Sequence, residues 1–243
     1  MQEETTTAFI LKTLPYKEND RLVYAYTKEY GKITLLARGV NKLTSKNRAA
    51  LQEITLVELT FIPKKGICTL IRASINEFYS LIKEDLTLQI YSSYFMEFFY
   101  KLEENEPNES MYCTLKHALD YLMQGYPPKL IYGLFNLRML KDLGIGLEVN
   151  KCARCKEVKP IKTISVYDGG FICYECLQKK EESMDKEILK LFRHFYLLSF
   201  ERIDEIHYTL KKLDEVVKII DLFVEEYSGI YFNTKKFIQS LDQ

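Results

Sequence analysis

Apolar positions in the first eighty residues come in short runs rich in β-branched and aromatic side chains. Residues 8–11, 22–26, 33–37, 54–62 and 70–73 are such runs, bounded by polar stretches and by Gly31, Gly39, Pro63 and Gly66. Leu14, Pro15 and Tyr16 follow the first run before the chain turns polar. Short runs with these breakers predict strands rather than helices. Five of them in so short a segment predict a small closed or partly closed barrel, and the OB-fold is the commonest of that size.

From about residue 83 the period becomes helical. Leu86, Ile90, Tyr94, Phe98 and Leu102 recur four apart, and Met111, Leu115, Leu119 and Leu122 continue the pattern to Gly125. Pro127 and Pro128 break the chain, and a third helix carries Ile131, Leu134, Leu137, Arg138 and Lys141 before Gly144. Residues 185–205 and 210–227 predict two more amphipathic helices, with Leu189, Phe192, Leu213, Val217, Ile220 and Val224 inward. The acidic linker 103–109 reads as a surface loop. The fold class is therefore α+β: an OB-fold barrel over 1–80, then a helical domain in two parts, 81–150 and 181–243, with an insertion at 151–180.

That insertion holds the most informative chemistry. Cys152 and Cys155 form one C-x-x-C pair, and Cys173 and Cys176 another, with 17 residues between them. Two such knuckles can place four thiolates at the corners of a tetrahedron, which holds a structural zinc ion without histidine or water. A site closed in this way does not catalyse. Residues 163–166 predict a strand, Asp168, Gly169 and Gly170 a tight turn, and Phe171 and Ile172 the returning strand, giving a zinc-ribbon-like finger. Lys151, Arg154, Lys156, Lys159 and Lys162 make it partly basic. The alternatives are a pair of disulfides or a redox C-x-x-C, although nothing nearby resembles a thioredoxin βαβ unit. Cys68 and Cys113 stand alone and read as small buried residues.

Composition narrows the function classes. At 243 residues and 47% hydrophobic, the chain can bury a substantial core. Its 34 basic and 34 acidic residues cancel, so any nucleic acid must be met by a local patch. No apolar run reaches the length of a membrane span, and the first residues lack the basic and apolar regions of a signal peptide, so a cytoplasmic protein is expected. A reducing compartment favours metal over disulfide at the clustered cysteines.

The local patch lies in the barrel. Between Lys32 and Arg72 there are eight basic residues, Lys32, Arg38, Lys42, Lys46, Arg48, Lys64, Lys65 and Arg72, against only Glu53 and Glu58. Four of these fall in the loop 38–48, where glycine and small polar residues predict a mobile segment able to track a phosphate backbone. Tyr16, Tyr24, Tyr26 and Tyr30 are candidate stacking faces for bases. A solvated loop without a partner would carry the same charge. Five phosphate contacts on a single strand predict a log–log salt slope near about −3.5.

Catalytic signatures are missing. There is no phosphate loop of the Walker type, no dinucleotide fingerprint, no H-E-x-x-H and no nucleophile elbow. His117, His194 and His207 are scattered over predicted helices and read as partly exposed helix residues.

Three segments carry a resemblance. The first comprises residues 9–11 and 16–23, then 27–32, 37–40 and 48–52; the second runs over 132–140 and 143–146; the third is the cysteine quartet with Gly169 and Gly170 before its second pair. In this order and spacing the chain resembles the bacterial RecO family of recombination mediators over nearly its whole length. The resemblance implies an N-terminal OB-fold, a helical domain and an inserted zinc finger. It implies binding of single- and double-stranded DNA, annealing of complementary strands, and loading of RecA onto DNA coated with single-strand-binding protein, together with RecR. No covalent chemistry is implied. Carried over residue by residue, it implies phosphate contacts from Arg38, Lys42, Lys46 and Arg48, with Lys12, Arg21 and Lys32 as weaker contributors. Cys152, Cys155, Cys173 and Cys176 would ligate one structural Zn2+ per chain. A groove with Leu134, Leu137 and Arg138 would receive the C-terminal tail of single-strand-binding protein, and the protein would act in the cytoplasm at the nucleoid. The chain departs from the pattern in having fewer arginines in the barrel loop than many relatives.

Rival classes share parts of this pattern. A zinc-stabilised RNA- or ribosome-associated OB protein would show the same charge distribution. An enzyme with a structural zinc, or a scaffold whose basic loop is inert, are the others.

Overall fold

The apolar runs of the N-terminal segment fold as β1 (Glu4–Pro15), β2 (Arg21–Thr27), β3 (Gly31–Ala37), β4 (Leu56–Ile62) and β5 (Ile67–Glu77) in the computed structural model, which describes residues 2–103 and 106–241. They close into a barrel in the order β1-β2-β3-β5-β4, with β4 returning to β1. Only the β3–β5 pair is parallel. This is the OB-type connectivity expected from the sequence. Ala8, Ile10, Val23, Ala25, Leu35, Val57, Leu59 and Phe61 fill the interior. β1 serves both neighbours because its register shifts between Ile10 and Lys12, a bulge that bends the strand around the barrel. β4 begins two residues later than its apolar run, since Ile54 sits at φ 56 and cannot continue an extended strand.

The chain divides into two compact units, Met1–Leu119 with Phe232–Gln243, and Asp120–Tyr231. The first contains the barrel, α1 (Ser80–Glu84), α2 (Leu86–Lys101), most of α3 (Glu109–Met123) and α7 (Lys235–Ser240). α1 and α7 are too short to show a helical period in sequence. Asp85 caps α2 by accepting the Leu88 N–H at 2.9 Å. The C-terminal segment is tied to α2 through Glu97, whose carboxylate accepts the N–H of Asn233 (2.9 Å) and both N–H (2.8 Å) and Oγ1–H (2.6 Å) of Thr234. Within the expected 103–109 loop, Glu104 and Asn105 lie outside the described residues. Cys113 on α3 is half-buried rather than buried.

The second unit is helical around α4 (Pro128–Asp142), with β6 (Ile161–Ser165), β7 (Gly170–Cys173), α5 (Lys186–Leu197) and α6 (Leu210–Tyr227). Every residue of α4 from Leu130 to Leu137 is buried, as expected of a helix apolar all round. Gly133 lets α5 approach closely, because a Cβ there would stand 2.7 Å from the Phe195 ring. The single helix expected over 185–205 is two pieces. Leu198 and Ser199 are extended, so Phe200 and Ile203 reach the core from a separate 3-10 turn, Phe200–Glu205. His207 therefore lies in a connection rather than on a helix. Leu134 and Leu137 are 1% and 2% exposed, so they are core and do not line a receptor groove. Among the described residues no helix is long and apolar enough to cross a membrane.

Candidate nucleic-acid interface and metal centre

Residues 38–55 connect β3 to β4 without a strand or helix, yet they are pinned at both ends. Gly39 donates its N–H to Asp20 Oδ1 (2.8 Å), Asn41 donates its N–H to the Asn19 carbonyl (3.0 Å), and Arg21 Nε donates to Asn41 Oδ1 (2.7 Å). Val40, Ala50 and Leu51 are buried in the barrel core. Further along, β3 pairs with β5 only over Thr34–Leu36 and Ile67–Thr69, leaving the rest of that side of β5 without a β3 neighbour. The Asn47 side chain takes that place, donating to the Ile71 carbonyl (3.3 Å) and accepting the Ala73 N–H (3.1 Å). The mobile loop expected from composition is thus an anchored one, because its apolar and amide residues fill gaps in the barrel.

What the anchoring leaves outside is positive. Arg38, Lys42, Lys46 and Arg48 are all exposed, and among the described residues none forms an ion pair or a side-chain hydrogen bond. Between Lys46, Ala49 and the outer face of β5 runs a groove of about 760 Å³, lined also by Ile71, Arg72 and Ile75. Ile71 and Ile75 are 42% and 43% exposed, so the groove offers apolar surface beside cations. Arg72 is exposed and equally free of partners; its place in the local charge excess was the only signal of it in the sequence.

The other three cations lie elsewhere. Lys12 is half-buried on β1, its ammonium 4.8 Å from the centre of the Tyr100 ring. Arg21 is committed to Asn41. Lys32 donates to the carbonyls of Tyr100 (3.3 Å) and Leu102, capping the C-terminal end of α2, and burial lowers its pKa. These three therefore support the barrel and its loop. The tyrosines also separate: Tyr26 is buried against Phe99 and Tyr24 is half-buried against Tyr100, whereas Tyr16 and Tyr30 are exposed.

In the second unit the four cysteines converge. All four Sγ atoms lie within 4.8 Å of one another, and Cys155 and Cys173 are 3.9 Å apart. A tetrahedral ion with bonds of about 2.3 Å needs sulfur–sulfur edges of about 3.8 Å, so the donor set fits a thiolate-bound metal. None of the sulfurs is bonded to another, which sets aside the disulfide alternative. β6 and β7 supply the hairpin between the knuckles, turning at Gly169 with φ 71. Gly170 passes so close to the 147–149 segment that a Cβ would stand 2.3 Å from the Glu148 carbonyl oxygen. Burial opposes ionisation at Cys152, but N–H groups of Cys155, Cys173 and Arg154 directed at its sulfur bring the thiol down to about 6. Hydrogen bonding to Cys173 pushes Cys176 up to about 12. A bound divalent ion erases this inequality, since a coordinated thiol is deprotonated outright.

The finger is less basic than its composition implied. Lys159 pairs with Glu157 (2.6 Å) and Glu175 (2.5 Å), and Arg154 pairs with Asp168 (2.7 Å) and Glu181. Lys151, Lys156 and Lys162 remain. The pairing of Arg154 is hidden in the sequence because its partners stand 14 and 27 residues away.

Comparison with known proteins identifies a family. Residues 1–79 match the family Recombination protein O N terminal, and residues 83–236 match Recombination protein O C terminal. A DNA repair protein RecO of Listeria monocytogenes (strain HCC23) is 31% identical over 99% of this chain and 95% of its own length. Those of Bacillus velezensis and Bacillus subtilis (strain 168) are each 30% identical over 96% of this chain and 92% of theirs.

Proposed function

The chain belongs to the recombination protein O family, whose role is in DNA repair and recombination as mediators rather than enzymes, and from that premise we propose that it captures DNA backbone on the barrel loop. The observation that carries this reading is the set of four exposed cations of the loop, Arg38, Lys42, Lys46 and Arg48, without a side-chain partner among the described residues, of which Lys46 lines the groove along β5 together with Arg72. Neutralising phosphates on two strands lowers their mutual repulsion, which is what annealing requires. The groove adds apolar faces, Ile71 and Ile75, on which unstacked bases can rest. Phosphate contacts carry no sequence information, so binding is largely sequence-independent.

Residues 1–80 are thus assigned to DNA, 81–150 with 181–243 to protein partners, and 151–180 to the metal. Zinc is the metal that suits four thiolates in a closed tetrahedron, and when bound it supplies a cross-link and no reactive position. The partners in this reading are RecR and the C-terminal tail of single-strand-binding protein, with RecA loading as the outcome, in the cytoplasm at the nucleoid. Support for these partners comes from family membership alone.

The test is strand annealing on DNA coated with single-strand-binding protein, comparing the native chain with an Arg38→Glu/Lys42→Glu variant. Annealing should collapse in the variant and its helical content should stay unchanged. Equal annealing by both would remove the loop from the mechanism.

A further inference from the structure

Arg154 lies between the two cysteines of the first knuckle, and all five N–H groups of its guanidinium have acceptors. Nε donates to Asp168 Oδ2 (3.1 Å). Nη1 donates to the Cys176 carbonyl (2.7 Å) and to Glu181 Oε2 (2.8 Å). Nη2 donates to Asp168 Oδ2 (2.7 Å) and to Glu181 Oε1 (2.5 Å). The acceptors are themselves tied down. Ser165 Oγ donates to Asp168 Oδ2 (2.5 Å) at the hairpin turn, and Glu181 Oε2 accepts the Gln178 N–H (2.9 Å) just after the last cysteine. All three charged side chains are at least three-quarters buried.

One side chain therefore joins the first knuckle to the hairpin turn, to the backbone of the last ligand and to the segment beyond it. A metal held by the four sulfurs would join the first knuckle to the second. The two cross-links span the same gap in parallel, one through sulfur and one through a guanidinium. Lysine could not take this position, because its ammonium is a point charge with three donors and lacks the planar fork.

We propose that Arg154 is a positioning residue, a second cross-link that holds the finger in shape independently of the metal and presets the four thiols to receive it. This rests on reading Cys152, Cys155, Cys173 and Cys176 as a metal site. Small metal domains commonly fold only when loaded. Here the metal-free finger keeps its hairpin, and metal binding is tightened because the ligands need little ordering.

The test uses the full chain as native protein, Arg154→Met and Arg154→Lys, each metal-free and loaded with Zn2+. Hydrogen exchange at the β6–β7 amides reads the shape. In the metal-free state the native hairpin stays protected, both variants lose protection at least about tenfold, and Zn2+ restores it in all three. Competition of Co2+ against a chelator reads the site: both variants bind about 10–100-fold more weakly, the range seen when outer partners of metal ligands are removed. At saturation their thiolate-to-cobalt absorption matches the native protein, since the ligands are unchanged. A metal-free native hairpin that exchanges as fast as Arg154→Met overturns the proposal, and so does a Co2+ affinity in Arg154→Met within twofold of native. Should Arg154→Met stay unprotected even when loaded, Asp168→Asn, which removes one acceptor only, decides by the same two readings. If the native protein takes up neither ion, the metal reading fails, while the exchange comparison still judges the clamp.

Discussion

The loop 38–55 and the finger 151–180 are both inserted stretches rich in lysine and arginine, but they use their charge in opposite ways. In the finger, Arg154 and Lys159 are consumed by Asp168, Glu181, Glu157 and Glu175. In the barrel loop, anchoring is done by Asn41, Asn47, Gly39 and buried apolar residues, and the cations are left over. A count of basic residues cannot separate these cases. What separates them is whether each cation has an acid within reach, because a paired charge stabilises the fold and an unpaired one remains available to phosphate. The same division recurs inside the barrel unit, where Lys32 caps a helix while Arg38, six residues on, meets solvent.

The sharpest way to break the finger is at its tightest point. Gly170→Ala would force a Cβ against the Glu148 backbone at 2.3 Å and should destabilise the finger by about 2–3 kcal/mol, read as loss of metal retention on mild urea titration. DNA binding by the loop should survive it, and a parallel loss of both would mean that the two regions do not act separately. In the other direction, Arg38→Glu/Lys42→Glu should make the salt dependence of single-strand binding shallower by about 1.4 on a log–log plot, at about 0.7 per lost contact. An unchanged slope would place those side chains off the DNA.

A smaller effect is expected at Glu97, the barrel unit's example of a fully engaged charge. Burial alone would raise its pKa, but hydrogen bonds from Lys101, Thr234 and the Asn233 and Thr234 N–H groups hold it at about 2. Its folded pKa is depressed, so its stabilisation is complete above about 4.5 and is lost as pH falls toward 2. Discounted for solvent screening, this amounts to about 1–2 kcal/mol. Glu97→Gln should flatten the acid limb of the thermal stability curve between those pH values, and an identical limb would contradict the assignment. The smallest effect belongs to Lys159→Ala. Its two ion pairs are made with largely exposed carboxylates, so little stability is lost, and because the cation is already paired, DNA affinity at fixed salt should not move. A drop comparable to that of the loop variant would erase the contrast between the two regions.

Much of this is legible in the amino-acid sequence. Alternation and breakers locate all five barrel strands, four-residue recurrence locates the long helices, and C-x-x-C spacing locates the thiol cluster, because each of these patterns is set by local geometry. The division of 185–205 at Leu198 was hidden because an amphipathic pattern does not reveal a change of axis. α7 was hidden because six residues do not define a period.

Sequence alone therefore determined which elements form, which residues are apolar enough to be core, and which four sulfurs belong together. Only the folded chain decided which charges are free. Arg154 and Lys42 look alike on paper, and it is long-range packing, which brings Asp168 and Glu181 to one and, among the described residues, no acid to the other, that makes the first a strut and the second an open cation.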